Sequence, residues 1–274
     1  MKFLFSGFAD EAGVTIEEQM DVLEKNSVSY IELRSVDGKH FLGWDDAALA
    51  AVKEKMDKRG FALSAIGSPV GKYKIEDPFE ADLDRFKRAV WCAKFFGCKY
   101  IRAFSYFPPE QGSREEYWPE VLRRVKEMVT IAKDNGLVYA LENESGVFAD
   151  TLENTVRIFD EIDSDALGMA FDPGNFIMNG VNPLEAYKAL KDRLVYFHIK
   201  DAAGGKFVPA GAGDASMSLL LKQAYDDGFD GFLSLEPHLS YLESSMVEQF
   251  TTACNALKKC LNEGLGVNLT ESEL

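Results

Sequence analysis

The chain is poor in positive charge, in histidine and in cysteine. Its 274 residues include 30 Lys and Arg against 45 Asp and Glu, which gives a formal net charge of −15. A general nucleic-acid binder needs a cationic surface that displaces counterions from phosphates, so this balance argues against that class of partner. It also argues against docking on an anionic membrane. An anionic small substrate is still allowed, because a pocket can be locally positive on an acidic protein.

The four cysteines form neither a zinc motif nor a redox motif. They fall into two sequence pairs, Cys92 with Cys98 and Cys254 with Cys260, and neither pair has the two-residue gap of such motifs. They occur in helical, apolar stretches, so we predict buried free thiols in a reducing cytoplasm. The sequence shows no targeting segment and no apolar run near the ~20 residues that span a bilayer. The expected location is therefore cytoplasmic, without a membrane partner.

What the chain does contain is a regular alternation of short apolar runs with amphipathic helical stretches. Eight runs are predicted as strands: Lys2–Ser6, Tyr30–Leu33, Ala62–Ile66, Tyr100–Ala103, Val138–Glu142, Leu167–Asp172, Val195–Lys200 and Phe232–Glu236. Their nearly continuous apolar character indicates strands that are buried on both faces, as in a parallel sheet. Eight β/α units in one unbroken chain predict an α/β fold, the (β/α)8 TIM barrel, as a single domain.

Local capping patterns support this organisation. Capping-box patterns begin at Thr15 and at Ser113. Glycines follow four helical runs where C-terminal caps belong, at Gly60, Gly97, Gly136 and Gly228. No linker rich in Pro, Gly or Ser divides the chain, so we predict one barrel over residues 1–263 and a polar tail over residues 264–274. A doubly wound open sheet is the alternative, but the residues after the first strand lack its Gly-rich phosphate loop.

Chemically capable side chains stand at the predicted ends of four successive strands: Glu142, Asp172, His198 and Glu236. In a TIM barrel the active site lies where the strands end at the C-terminal face, so these side chains should converge there. A lone Glu at a strand end is more often a helix cap or an ion-pair partner, and a lone His among apolar residues is more often a satisfied core residue. Their joint occurrence on four successive strands favours a shared metal site.

A divalent cation would relieve the repulsion among the three carboxylates of this set. Oxygen-rich ligands with a single nitrogen favour Mn²⁺, with Mg²⁺, Co²⁺ and Zn²⁺ as alternatives. Two further coordination positions would remain for substrate oxygens or water. The sequence therefore predicts a divalent metal cation as the cofactor.

With these motifs the chain resembles the xylose isomerase-like barrel superfamily of sugar and sugar-phosphate isomerases and epimerases, to about residue 262. The resemblance rests on Leu141-Glu142-Asn143, Phe171-Asp172-Pro173-Gly174-Asn175, His198-Ile199-Lys200-Asp201, Gly211-Ala212-Gly213-Asp214 and Leu235-Glu236-Pro237. It implies that Glu142, Asp172, His198 and Glu236 are the metal ligands, and that Glu142 and Glu236 double as catalytic acid/base groups. It also implies a small-molecule carbohydrate substrate, and barrels of this group are often dimers or tetramers.

One site of this kind serves three reactions. A cation that polarises a carbonyl stabilises the enediolate formed when the neighbouring carbon loses its proton. Glu142 and Glu236, on opposite sides of the metal, would remove and return that proton. Its return to the other face gives epimerisation, its return to the neighbouring carbon gives isomerisation, and expulsion of a β-hydroxyl gives dehydration. We predict a metal-dependent isomerase or epimerase of a sugar, cyclitol or sugar phosphate, with a lyase acting on a keto-sugar or ketoinositol as the alternative.

Three positions depart from the ketose 3-epimerase branch of that superfamily. Those enzymes generally carry a second Glu, a His and an Arg where this chain has Phe148, Asn175 and Gly204. A typical free-ketose 3-epimerase is therefore disfavoured. The pair Lys200-Asp201 is closer to sugar-phosphate epimerases and inosose-type dehydratases.

Six further side chains near strand ends are predicted to contact substrate: Glu32, Arg34, Arg102, Asn175, Lys200 and His238. Some have structural alternatives. Glu32 and Arg34 alternate along one strand and could form an internal ion pair, and Lys200 could pair with a nearby carboxylate. His238 is equally compatible with a structural role, and we predict a plain surface role for His40. Loop aromatics could stack on a sugar or pack on helices: Phe8, Trp44, Tyr106, Phe107 and Trp118.

Two other functional classes share this kind of barrel. Apurinic-site endonucleases bind three zinc ions through a larger set of histidines, whereas this chain has only three histidines and a net charge of −15. A non-catalytic sugar sensor or assembly subunit would not need the four ligands, all of which are retained. The sequence therefore favours the enzyme.

Overall fold

The computed structural model describes residues 3–267, in which eight parallel strands close into a barrel. These strands are β1 (Phe3–Gly7), β2 (Tyr30–Leu33), β3 (Ala62–Gly67), β4 (Tyr100–Ala103), β5 (Val138–Glu142), β6 (Leu167–Phe171), β7 (Leu194–Ile199) and β8 (Gly231–Leu235). Each strand pairs with the next along the chain, and β8 pairs with β1 to complete the circle. The single-domain TIM barrel predicted from the sequence is confirmed.

Helices cover the outside of the barrel. They are α1 (Ile16–Lys25), α2 (Asp46–Lys58), α3 (Phe79–Phe96), α4 (Arg114–Asp134), α5 (Leu152–Glu161), α6 (Pro173–Met178), α7 (Pro183–Leu190), α8 (Met217–Asp226) and α9 (Met246–Leu265). Thr15 forms the complete capping box of α1. The Ser113 hydroxyl accepts the N–H of Glu116 at the start of α4, without the reciprocal bond of a full box.

The observed strand bounds fall close to the predicted ones. Asp172 and Glu236, predicted as last residues of strands, lie one residue beyond β6 and β8. Each is followed by a proline, which has no N–H to continue the ladder. The predicted first residue Lys2 lies outside the described residues, as does the part of the predicted tail over residues 268–274. The start of that tail belongs to α9, which continues to Leu265.

Two short hairpins enlarge the loops that follow β2 and β7, and the sequence patterns did not predict them. Ser35–Val36 pairs with Lys39–His40, and Asp201–Ala203 pairs with Lys206–Val208. Both hairpins follow the C-terminal ends of barrel strands. They therefore stand at the face where a TIM barrel carries its active site.

The barrel interior is filled by small residues around one large ring. Ala65, Ala140, Ala170 and Tyr196 form a buried cluster inside it, separate from the larger core between strands and helices. The four cysteines are buried and free, as predicted. Within the described part of the chain, no helix is long and apolar enough to cross a membrane. The polar residues considered next lie inside the C-terminal end of this barrel.

Candidate metal centre

The structure brings together the four side chains predicted to converge. Glu142 ends β5, Asp172 and Glu236 directly follow β6 and β8, and His198 lies in β7. One ligating atom from each lies within 4.8 Å of the others. His198 Nδ1 is 3.4 Å from Glu142 Oε1, 3.7 Å from Asp172 Oδ2 and 3.5 Å from Glu236 Oε2. All four residues are buried.

These residues fit a divalent cation. Among the described residues, His198 Nδ1 is a buried nitrogen without a hydrogen-bond partner, and it faces three carboxylates. Leaving such an atom unsatisfied costs about 1–3 kcal/mol, so its retention needs a reason. A ring nitrogen with three carboxylate oxygens is a donor set that suits a hard or borderline divalent ion.

The other nitrogen of the His198 ring is held by Glu32. His198 Nε2 lies 3.3 Å from Glu32 Oε1, and Glu32 also accepts the hydroxyls of Tyr196 at 2.9 Å and Ser234 at 2.6 Å. A carboxylate on the distal nitrogen of a ligating histidine fixes the ring orientation and tautomer. The alternative considered for Glu32, an ion pair with Arg34, is not formed, because Arg34 pairs with Asp10, Glu11 and Glu236. The expectation that Glu32 contacts substrate is corrected, because its side chain is fully buried and its oxygens are taken by protein donors.

Lys200 pairs with nearby carboxylates, which was the structural alternative to a contact with substrate. Its Nζ lies 2.7 Å from Asp172 Oδ2 and 2.7 Å from Glu236 Oε2, and the side chain is buried. Burial alone would lower the pKa of Lys200, but the two carboxylates outweigh burial and raise it. The ammonium therefore neutralises part of the carboxylate cluster.

Arg102 and Asn175, both predicted to contact substrate, bind Glu142. Arg102 Nη1 donates to Glu142 Oε2 at 2.8 Å, and Asn175 Nδ2 donates to Glu142 Oε1 at 3.1 Å. Burial would raise the pKa of Glu142, but His198 and Arg102 lower it below its ordinary value. Asn175 lies in the first turn of α6, where its backbone N–H donates to Asp172 Oδ1 at 2.8 Å. These two residues therefore orient Glu142, and their contact with substrate stays a prediction.

A cavity of about 560 Å³ lies beside Glu236. It is lined by Asp10, Glu11, Arg34, Phe207, His238, Ser240, Met246 and Gln249. His238 Nε2 is 3.3 Å and Arg34 Nη1 is 3.5 Å from Glu236 Oε1. Of the six predicted substrate contacts, Arg34 and His238 are the two that face this cavity.

Asp10 and Glu11 are cavity residues that the sequence reasoning missed. They lie in the 3-10 turn Ala9–Glu11 that follows β1, and both bind Arg34, at 2.8 and 3.0 Å. Their position after a strand is the same signal that identified the four metal-site residues. Applying that test to β1 as well would have found them.

The aromatic residues of the loops differ in how far they are buried. Phe8 is fully buried, packs edge-on against the His198 ring at 5.2 Å and lies under the Arg34 guanidinium at 4.6 Å. Tyr106 and Trp118 are also buried, whereas Trp44 and Phe107 are half-buried. The buried rings are packing residues rather than an exposed stacking surface for a sugar.

His40 is not a plain surface residue. It is half-buried, and its Nδ1 accepts the N–H of Leu42 at 3.3 Å, which caps the 3-10 helix Phe41–Gly43. Burial lowers the pKa of His40 to about 4. A neutral ring with a free acceptor nitrogen is what the cap requires.

Comparisons with known proteins agree with the fold. A family model described as xylose isomerase-like TIM barrel matches residues 20–260. An inosose dehydratase of Clostridium perfringens is 23% identical over 141 residues, which cover 44% of this chain and 48% of that protein. The match thus spans about half the length of that curated relative.

Solved structures match over nearly the full chain. The IOLI protein with a bound zinc atom superposes with a TM-score of 0.77 at 21% identity, covering 97% of this chain and 100% of that one. A D-tagatose 3-epimerase-like protein superposes with a TM-score of 0.77 at 22% identity, covering 97% and 99%. At this level of identity the two likenesses establish the fold.

Proposed function

Because the chain belongs to the xylose isomerase-like TIM barrel family, we propose that it is a divalent-cation-dependent enzyme that removes a proton next to a carbonyl of a polyhydroxylated substrate. The observation that carries the proposal is the buried, unpartnered His198 Nδ1 facing three carboxylates. Glu142, Asp172, His198 and Glu236 would hold the cation, for which Mn²⁺ is preferred. When bound, the cation supplies Lewis-acid polarisation of the substrate carbonyl.

Glu236 is the residue best placed to take the proton. It contacts Arg34 and His238, two residues that line the cavity, whereas Glu142 binds Arg102 and Asn175, which do not. Burial would raise the pKa of Glu236, but Lys200 and His238 bring it well below its ordinary value, so the carboxylate is ionised at neutral pH. An ionised carboxylate next to open space can act as a general base. Glu142, once it has taken up a proton, would be the second group able to pass one to the substrate.

Dehydration is the outcome that the cavity favours. After the carbon next to the carbonyl loses its proton to Glu236, the freed electron pair forms a carbon–carbon double bond. The bond to the β-hydroxyl oxygen then breaks, and that oxygen needs a proton to leave as water. His238 lines the cavity, is 36% exposed and has its pKa raised by Glu236 against the opposing effect of burial. It can donate that proton, and the similarity to an inosose dehydratase supports this reading.

Isomerisation or epimerisation is the second candidate. The presence of two glutamates at the centre, Glu142 and Glu236, supports it. The ionised Glu236 can remove a proton, and the carboxylic acid formed in that step can return the proton to a different position. The position of Phe148 counts against the ketose 3-epimerase form of this reaction. Its ring is buried against Trp118 at 5.5 Å, which leaves no second catalytic glutamate there. Gly204, where that branch carries Arg, is exposed in the hairpin turn.

Solvent deuterium uptake tests the proposal. The Mn²⁺-loaded protein would be incubated in D₂O with keto-sugars and a ketoinositol, and the products would be analysed by NMR and mass spectrometry. We expect deuterium next to the carbonyl, and loss of water if dehydration is the outcome. A product that keeps its water would instead select isomerisation or epimerisation. Absence of exchange with every substrate, in a protein shown to bind Mn²⁺, would contradict the proposal.

A further inference from the structure

We propose that this centre takes an uncharged polyhydroxylated carbonyl compound and discriminates against phosphate esters. The inference rests on the proposed function and assigns its substrate class. Three features carry it: the pairing of Arg34, the pairing of the other basic groups that face the centre, and the environment of Asp201.

Arg34 lines the cavity, and its guanidinium is shared among three carboxylates. Its Nε lies 2.8 Å from Asp10 Oδ2, its Nη2 lies 3.0 Å from Glu11 Oε1, and its Nη1 lies 3.5 Å from Glu236 Oε1. The face of the group lies over the Phe8 ring at 4.6 Å. A phosphate that approached this guanidinium would have to compete with the carboxylates that already bind it.

Three other basic side chains that face the cavity or the centre are also paired with carboxylates. His238 Nε2 lies 3.4 Å from Glu11 and 3.3 Å from Glu236. Lys200 bridges two carboxylates at 2.7 Å each, and Arg102 is bound to Glu142. The positive charge of these three side chains is therefore shared with internal carboxylates.

The loop after β7 contains a backbone anion site that an internal carboxylate fills. TIM barrels often bind substrate phosphate with loops after their seventh and eighth strands. Here the buried carboxylate of Asp201 accepts four backbone N–H groups at 2.8–3.1 Å, those of Ala202, Gly211, Gly213 and Ala215. Clustered backbone N–H groups of this kind are what cradles a phosphate elsewhere. Because Asp201 occupies these four N–H groups, they are not free to bind the phosphate of a substrate.

A sugar hydroxyl suits such a surface better than a phosphate does. A hydroxyl can donate to a carboxylate and accept from Arg34 or His238 at the same time. A phosphate dianion accepts only, so Asp10 and Glu11 would repel it. The alternation of carboxylates and bound cations around the cavity therefore matches a ligand that carries many hydroxyls and no charge.

Matched substrate pairs test the inference. Ketopentoses and ketohexoses would each be compared with their terminal phosphate ester, in the Mn²⁺-loaded protein, by kcat/KM for deuterium uptake. We expect the uncharged partner to be favoured by at least about tenfold, which corresponds to about 1.4 kcal/mol. Equal or faster reaction of the phosphate esters would overturn the inference.

Binding separates failure of this inference from failure of the proposed function. If no compound exchanges deuterium, the proposed reaction is wrong, yet the charge preference can still be measured. Calorimetric titration with myo-inositol and with its monophosphate, in the Mg²⁺-loaded protein, would provide that measurement. Tighter binding of the monophosphate would overturn the charge preference, and tighter binding of the uncharged cyclitol would support it.

A charge variant tests the role of Arg34. Asp10→Asn removes one carboxylate from the guanidinium, so we expect kcat/KM for the phosphate ester to rise by about tenfold relative to that for its uncharged partner. The control is Asp37→Asn, an exposed carboxylate on the neighbouring hairpin whose positive φ asparagine tolerates. It changes the net charge equally without touching Arg34. An equal effect of both variants, or no effect of Asp10→Asn, would show that Arg34 pairing does not set the preference.

Discussion

At the scale of single residues, the centre depends on the orientation of one imidazole ring. His198 has the three carboxylates on its Nδ1 side and Glu32 on its Nε2 side. Glu32 receives two more hydrogen bonds, from Tyr196 and Ser234. Glu32, which is itself held by these two hydrogen bonds, thus fixes the orientation of the His198 ring.

Glu32→Gln is expected to weaken Mn²⁺ binding by about 10- to 100-fold, because the amide cannot hold the His198 tautomer as a carboxylate does. Isothermal titration calorimetry of the metal-stripped protein measures this loss. Ser234→Ala is the control, since it removes another donor to Glu32 and leaves the histidine contact in place. Similar losses in both variants would show that Glu32 matters only for packing.

Glu236→Gln is expected to abolish most of the turnover even at saturating Mn²⁺, with a loss of about 10²- to 10⁴-fold, because a general base is removed. Glu142→Gln should behave alike. Asp172→Ala should mainly weaken metal binding, so its activity should recover as Mn²⁺ is raised. Kinetics over a Mn²⁺ series in all three variants distinguish these roles. Near-full activity of Glu236→Gln would contradict the two-glutamate mechanism.

At the scale of elements, the ends of the strands decide where the chemistry lies. A proline follows Asp172 and Glu236, so β6 and β8 stop directly before a carboxylate. Asn143, next to Glu142, exchanges two hydrogen bonds with the backbone of Asp172, at 2.7 and 2.9 Å. Neighbouring strand ends are therefore tied together where two of the four site residues are attached.

The cap of the 3-10 helix Phe41–Gly43 gives a pH prediction. The folded pKa of His40, about 4, lies below its ordinary value of 6.5, so the unfolded chain binds more protons between these values. Its contribution to stability is present above pH 6.5 and is lost as the pH falls towards 4. The variant His40→Asn keeps an acceptor for Leu42. Between pH 7 and pH 5, we expect its free energy of unfolding to fall by about 1 kcal/mol less than that of the wild type. Urea unfolding at both pH values checks this, and identical losses would contradict it.

The sequence predicted which residues lie at the ends of the strands. It did not predict how deep inside the barrel a given side chain lies. Parallel strands place their C-terminal ends at one face, so Glu142, Asp172, His198 and Glu236 had to approach one another once eight strands were recognised. Alternation showed that Glu32 points inward but not that it lies below His198, since that level depends on the stagger between β2 and β7. The two hairpins were missed because strands of two or three residues carry no periodic pattern.

At the scale of the whole molecule, the cluster of buried carboxylates links metal binding to stability. Burial raises the pKa of Asp172 even though the Lys200 ammonium opposes that effect. Like charges in one buried site oppose folding, and a bound cation relieves them.

Mn²⁺ is therefore expected to stabilise the metal-stripped protein by about 2.7 kcal/mol at one hundred times the Kd. For a barrel of this size, that corresponds to a rise in Tm of roughly 5–10 °C. Differential scanning calorimetry with and without Mn²⁺ measures the shift. His198→Ala should show a much smaller one, and an equal shift in that variant would place the stabilising ion elsewhere.

The chain separates the parts of the site along its length. The four residues proposed to hold the cation all come from β5 to β8, between residues 142 and 236. Arg34 and two of the three carboxylates that engage it, Asp10 and Glu11, come from the first two β/α units, whereas the third, Glu236, belongs to the cation set. Substitutions at Asp10, Glu11 or Arg34 therefore alter the charge of the cavity wall without replacing any of the four residues proposed to hold the cation. Related barrels can in this way differ in the compounds that they accept while they keep the same cation site.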